Sequence, residues 1–301
     1  MALVTSRAIV LKDHRLGETS KVVVCYTRDY GKVRLVAKGV RKGGSRFGAA
    51  LEPLMVSGVV FYLREGRDLS LVSQASIERE FPELRRDVVR MAMGGAVVEL
   101  LERLLPDHEP DGGLYELTER TLETMSEAPL HALDVVLWRF MLEVACRLGY
   151  QPELSRCVRC GAAGCGGPVG GSDRGREAHE DDADESAGWA GFSPDLGGLV
   201  CDRCVSRGEL DVPLPVGSEA AVLPVLAGED GERLAAAGVS EGAVTGVSEG
   251  VLTLAGRSIS PAARDDITRA LGSFLEMHAG RSMRLKSLGF LAQVRRLEEP
   301  S

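Results

Sequence analysis

Two cysteine pairs, Cys157-Val-Arg-Cys160-Gly161 and Cys201-Asp-Arg-Cys204, stand about forty residues apart and carry the sharpest chemistry in the sequence. Zinc in structural sites takes four tetrahedral ligands, and each CxxC turn presents two sulfurs to one ion. The pattern predicts a structural Zn2+ held by Cys157, Cys160, Cys201 and Cys204. A closed thiolate shell leaves no position for water, so such an ion braces a fold and does not catalyse. A redox pair would need a strand-to-helix context, which neither CxxC has. Cys165 offers a further sulfur that could replace a ligand, whereas His179 lies in an acidic stretch and reads as solvated. Two unrelated thiol pairs are the plainer alternative.

The second chemical feature is the segment Tyr30 to Phe47, YGKVRLVAKGVRKGGSRF. A strand's two-residue period puts Val33, Leu35 and Ala37 on one face and Lys32, Arg34, Val36 and Lys38 on the other. Beyond Lys38 the pattern gives way to glycines with Arg41, Lys42 and Arg46 among them, the composition of a basic loop. A strand face followed by such a loop suits a phosphate backbone, and the six cations Lys32, Arg34, Lys38, Arg41, Lys42 and Arg46 are the candidate nucleic-acid contacts. Taken alone, a charge run is equally a solvated strand face.

Charge along the chain favours the first reading. Residues 1 to 50 hold eleven Lys or Arg against three Asp or Glu, a net of +8, so the remainder must carry −16 to give the total of −8. At a Debye length of about 8 Å the local field, not the total, decides where an anionic ligand settles. The chain has 301 residues, enough for two or three domains. No apolar run approaches the ~20 residues of a membrane span, and the N-terminus lacks the pattern of a signal peptide, so a cytoplasmic location without membrane contact is expected. Seven cysteines in such a chain point to metal before disulfides.

These sites need elements to hold them. Ser6–Leu11, Ser20–Thr27, Lys32–Lys38, Val56–Tyr62 and Leu69–Ser73 read as five short strands divided by turns, which favours a small oligonucleotide/oligosaccharide-binding (OB) barrel over residues 1–80. Cys25 reads as core filler in its strand. From Phe81 the apolar period becomes helical: one helix stops before Pro106, a second spans Leu114–Ser126, and a third spans Leu130–Leu148 and ends at Gly149. Trp138, Phe140 and Cys146 are packing residues of the third. A helix around Glu219–Leu226 follows, and stretch 228–260 gives weak helical and extended signals alike. Pro261 opens a helix to Ala279, with Asp265 and Asp266 expected in its first turn. The predicted class is α+β and multidomain: an OB-fold barrel at 1–80, a helical domain from 81–155 and 206–301, and a zinc module at 156–205. Between the pairs, GGSDRGREAHEDDADESAG has seven acidic residues and predicts a disordered insertion at about 166–188.

Signatures of catalysis are missing from the sequence. There is no GxxxxGK[ST] phosphate loop, and a zinc deaminase would need an HxE element and a proline where Val200 stands. A barrel with a zinc knuckle leaves open a DNA-binding protein, an RNA-binding or ribosome-associated protein, and, against the closed thiolate shell, a zinc hydrolase.

The order of parts resembles the RecO family of bacterial DNA repair proteins. The residues that carry it are AIVLKDHRLGETSKVV, DYGKVRLVAKGVRK, CVRCG, FSPDLGGLVCDRC and GRSMRLKSLGFL, which together run nearly end to end. The resemblance implies a non-catalytic recombination mediator, working in the cytoplasm at the nucleoid. It would bind single- and double-stranded DNA, anneal complementary strands, and help RecR load RecA onto DNA covered by single-strand binding protein. By position, the six cations fall in the family's basic barrel segment. Arg281, Arg284 and Lys286 fall in the C-terminal region thought to receive the acidic, hydrophobic-ended tail of single-strand binding protein. The long acidic insertion departs from the family's usual short connection.

Overall fold

The computed structural model describes residues 2–40, 47–63, 66, 68–162, 188–206, 222–227, 244–248, 251–254, 257–281 and 283–298. The chain forms two compact units, Met1–Leu133 with Arg281–Ser301, and Asp134–Gly280.

The first unit begins with strands β1 (Ala2–Leu16), β2 (Ser20–Thr27), β3 (Gly31–Ala37), β4 (Val56–Leu63) and β5 (Leu69–Arg79), closed into a barrel in the order β1-β2-β3-β5-β4. The β3–β5 pairing is parallel and the other four are antiparallel. Strand β1 is longer than its sequence signal because it serves two neighbours: residues 2–9 pair with β4 and 8–16 with β2, with a register shift between Val10 and Lys12. Such a bulge turns a strand sharply enough to close a barrel. Ala8, Val10, Val23, Cys25, Val33, Leu35, Phe61 and Val72 fill the interior. Burial pushes the Cys25 thiol up to about 12, so it packs there as a neutral group.

Helices α1 (Pro82–Arg86), α2 (Val88–Leu104) and α3 (Gly112–Glu127) follow. The carboxylates of Asp87 and Asp111 cap α2 and α3, accepting from Arg90 N–H at 2.8 Å and Leu114 N–H at 3.0 Å. The chain's last helix, α8 (Lys286–Glu298), packs on α2. These helices count with the barrel, a different division from the sequence boundaries at 80/81 and 155/156. The reason is that α2 rests on β1 and the α2–α3 link runs back along β3. Gly31 marks that approach: its φ is +65°, and a Cβ there would collide with the backbone of Glu109.

A 3-10 turn (Leu130–Ala132) ends this stretch of the first unit, and the second unit opens with α4 (Leu133–Arg147), whose Trp138 and Phe140 are buried as expected. Cys146 departs from expectation: it is exposed, because its position on the last turn faces away from the buried side of α4. Gly149, at φ +83°, closes the helix, with Tyr150 N–H donating to Ala145 O at 2.8 Å. Then come the hairpin β6 (Trp189–Ser193) and β7 (Gly198–Cys201), and the short helices α5 (Asp202–Ser206) and α6 (Leu223–Ala227). Residues 219–221 of the expected Glu219–Leu226 helix lie outside the described residues. Strands β8 (Val244–Ser248), β9 (Val251–Leu254) and β10 (Arg257–Ile259) form a three-stranded sheet where the sequence signals are weak.

Helix α7 (Pro261–Ala279) starts at its proline, capped by Ser260 Oγ, which accepts from Ala263 N–H at 3.2 Å. That cap places Asp265 and Asp266 beyond the first turn, not within it as expected. Helices α4 and α7 are joined by Trp138 Nε1 donating to Thr268 Oγ1 at 2.7 Å and by Arg264 on Asp134 at 3.2 Å.

Candidate metal centre and nucleic-acid interface

The four cysteines of the two pairs come together in the second unit, their sulfurs all within 4.8 Å of one another. Cys157 Sγ lies 3.8 Å from Cys204 Sγ, and Cys160 Sγ lies 3.7 Å from Cys201 Sγ. Four thiolates about 2.3 Å from a tetrahedral ion sit about 3.8 Å apart, so the cluster has the dimensions of a metal site. The donor set is all sulfur, which suits a soft or borderline ion.

Local backbone geometry builds this cluster. Gly161, at φ +73°, turns the first knuckle, with its N–H donating to Cys157 O at 2.8 Å. Cys201 ends β7, and Cys204 stands one helical turn later in α5, so the second CxxC does run from strand to helix, contrary to expectation; its two sulfurs nevertheless each face a sulfur of the first pair. The knuckles share a frame: Glu153 N–H donates to Gly197 O, and Leu199 N–H to Glu153 O, both at 2.9 Å, and Val158 N–H donates to Leu199 O at 2.9 Å. Cys201 N–H also donates to Cys157 Sγ at 3.4 Å. Burial opposes ionisation of Cys157, but backbone donors from Cys160, Cys201 and Arg159 outweigh it and hold the thiol at about 6. Burial and the neighbouring sulfurs of Cys157 and Cys160 push Cys201 the other way. One sulfur is thus ready to be a thiolate and the next resists a second charge, a conflict that a dication relieves. Cys165, His179 and the acidic insertion lie outside the described residues, apart from its final residue, Gly188, which accepts from Asp202 N–H at 3.0 Å.

The predicted basic face is on β3, with one correction. Val33, Leu35 and Ala37 point into the core, and Arg34 and Val36 are half-buried outside it, as the alternation requires. Lys32 is not on the surface: it is 4% exposed. The α2–α3 link covers it, so its ammonium donates to Glu102 O at the end of α2 at 2.8 Å and stands 3.4 Å from Asp107 Oδ1. Burial lowers the Lys32 pKa, with Asp107 working in the opposite direction. Arg34 pairs through Nη1 with the other oxygen, Asp107 Oδ2. Lys38 is exposed just past the strand and has no ion-pair partner among the described residues. Arg41, Lys42 and Arg46 lie outside the described residues.

Of the C-terminal cations, all three are exposed. Arg281 donates to Arg103 O at 2.9 Å and Leu105 O at 3.3 Å, while Arg284 has no ion-pair partner among the described residues. Lys286 edges a groove of about 790 Å³ floored by Leu54, Met91 and Val98 and flanked by Lys12 and Arg103. The sequence reading missed this groove and the role of Asp107. Both depend on contacts between segments far apart in the chain, for which spacing gives no signal.

Comparison with known proteins agrees with this architecture. The family model described as Recombination protein O N terminal matches residues 1–81, and Recombination protein O C terminal matches residues 85–244. A DNA repair protein RecO of Heliobacterium modesticaldum is 37% identical over 207 residues, covering 69% of this chain and 67% of the relative. One from Symbiobacterium thermophilum is 33% identical over 218 residues, covering 72% and 78%. One from Anaeromyxobacter sp. (strain K) is 31% identical over 286 residues, covering 95% and 94%. Matched by both family models and by relatives along nearly its whole length, the chain belongs to the RecO family of DNA repair proteins.

Proposed function

We propose that this chain is a non-catalytic recombination mediator whose barrel binds single- and double-stranded DNA along the outward side of β3 and the loop after it. Arg34, Lys38, Arg41, Lys42 and Arg46 are the phosphate contacts in this reading, and Lys32 is an internal brace that holds β3 against the α2–α3 link. The observation that carries it is Lys38, an exposed and unpaired cation among the described residues, at the end of a strand whose inner face is core. Neutralising two anionic strands on one protein lowers their repulsion, so complementary strands anneal without a nucleotide cofactor. The cysteine cluster holds a structural Zn2+ and takes no part in chemistry.

Membership of a DNA repair family supports a place in recombinational repair beside RecR and RecA. The groove beside Lys286 is where we seat the acidic, hydrophobic-ended tail of single-strand binding protein: its floor is apolar, and the cations on its edge, Lys12, Arg103 and Lys286 among them, stand beside Glu99 and Glu102, while Arg281 and Arg284 shortly precede Lys286 in the chain. No helix among the described residues is long and apolar enough to cross a membrane.

The test is binding of labelled single-stranded DNA over a range of salt, with and without a peptide of that tail. Five phosphate contacts give a slope of log affinity against log salt of roughly −3.5. Reversing the charge of Arg34, Lys38 and Arg41 together should weaken binding for every sequence and flatten that slope. Unchanged affinity would overturn the β3 face as the contact, and preference for RNA at equal salt would favour an RNA-binding role instead.

A further inference from the structure

Asp107 sits in the link between α2 and α3, bridged in strand fashion to Lys32, with His108 N–H donating to Lys32 O at 3.0 Å. Its carboxylate is shared unequally. Oδ1 is buried without a hydrogen bond and takes only the 3.4 Å contact with Lys32 Nζ, while Oδ2 takes Arg34. The Arg34 side chain is 38% exposed, and this is its one ion pair among the described residues. A cation on the outward side of β3 is therefore already occupied by an acid of the same chain.

To a guanidinium, a carboxylate and a phosphodiester are alike: each is an anion presenting oxygens to the same planar fork. They differ here in what they leave behind. If Arg34 turns from Asp107 to a phosphate, Asp107 keeps Lys32, and Lys32 stays fixed by Glu102 O at 2.8 Å. No buried charge is stranded by the exchange, which is the step that normally makes opening an ion pair costly. Arg34 is the releasable partner, and Lys32 is the permanent one.

We propose that Asp107 is an internal competitor for phosphate on the nucleic-acid face: it occupies Arg34 in the free protein, and an incoming strand displaces it. The inference rests on the reading that β3 meets nucleic acid, and it adds regulation to that site. The barrel grips a strand less tightly than its cations would allow, because each binding event must first displace a carboxylate.

The experiment uses the full chain with fluorescent oligo-dT, measured by anisotropy across salt, for wild type, Asp107→Asn, Arg34→Ala, Arg34→Ala/Asp107→Asn and Lys38→Glu. Asp107→Asn should bind about threefold more tightly with a slope changed by less than about 0.3, because Arg34 meets the same phosphate in both proteins and only the carboxylate to be displaced is gone. Arg34→Ala/Asp107→Asn should lose that gain and match Arg34→Ala. Unchanged or weaker binding by Asp107→Asn overturns the proposal, since the acid would then be orienting Arg34 and not competing for it. A gain that persists without Arg34 also overturns it, since it would reflect only the loss of a negative charge. If neither Lys38→Glu nor Arg34→Ala alters affinity, the reading of the face itself fails; if Lys38→Glu weakens binding while Asp107→Asn does not tighten it, only the competitor fails. Should Asp107→Asn unfold, Lys32→Met/Asp107→Asn removes the buried ammonium with its acid and must show the same tightening.

Discussion

Glu99 on α2 caps a helix to which it does not belong. Its Oε2 accepts both the N–H and the hydroxyl of Ser287 at 3.1 Å, and its Oε1 accepts the N–H of Lys286 at 3.0 Å, so one carboxylate satisfies the first free donors of α8. Gly95, one turn earlier, permits the approach: a Cβ there would stand 2.9 Å from Ser287 Oγ. The last helix is thereby tied to the unit that holds the barrel.

Removing that carboxylate should loosen α8 first. Glu99→Ala is expected to cost about 1–3 kcal/mol, the range for stranding partly buried donors, and to speed amide exchange in residues 286–291 above the rest of the unit. Burial pushes the Glu99 pKa up, but the Lys286 and Ser287 N–H groups and Arg103 outweigh it, and the net shift is down. Its folded pKa lies below its unfolded one, so its contribution is whole above about pH 4.3 and is lost as pH falls through the folded value. Urea unfolding of wild type and Glu99→Gln from pH 7 down to about 3 checks this. A stability difference that is constant over that range would exclude the charge-based cap.

Lys32 separates two ideas of what a basic strand does. On the sequence it belongs with Arg34 and Lys38 as a DNA contact, but in the structure its ammonium points into the α2–α3 link. Lys32→Met keeps the aliphatic stem and removes the charge, leaving Glu102 O unpaired and Asp107 with Arg34 alone. It should destabilise the protein by about 1–3 kcal/mol while changing the salt slope of DNA binding by less than about 0.3, whereas Lys38→Glu should flatten the slope at little cost in stability. A Lys32→Met protein of normal stability and weakened DNA binding would return Lys32 to the surface role.

The contrast between Lys32 and its neighbours shows what was legible in the sequence. Alternation identified which of Val33 to Ala37 face the core, since that depends only on the two-residue period of a strand. It could not reveal that residues 106–109, seventy positions later, would cover one end of the outer face. The same limit explains Glu99, whose capping partners are 187 and 188 residues away. Strands β8 to β10 escaped notice for another reason: they are three to five residues long and diluted by Gly, Ser and Thr, too short for a period to emerge. The cysteine pairs were legible because their chemistry is in the spacing itself. Two CxxC turns need only a hairpin between them to meet, and β6 and β7 supply it.

That cluster gives the last prediction, since its geometry demands more than proximity. Without an ion, Cys157, Cys201 and Cys204 are buried sulfurs at van der Waals separation, with one drawn toward thiolate and its neighbour pushed away from it. With an ion, all four are equivalent ligands, and the backbone bonds joining Glu153, Val158 and Leu199 to the hairpin are held by about 10–16 kcal/mol of binding energy. Protein purified under reducing conditions should therefore contain about one zinc per chain, and a thiol reagent should find Cys157, Cys160, Cys201 and Cys204 protected until a strong chelator is added. Cys146, exposed on α4, should react in both conditions and serves as an internal control. Cys201→Ser should lose the metal and expose Trp189, which pairs with position 201 across the hairpin, as a red shift in its fluorescence. DNA affinity should survive in this variant, because the cations assigned to phosphate lie on β3 and not in the unit that holds the sulfurs. Metal-free protein whose four cysteines react as fast as Cys146 would refute the site.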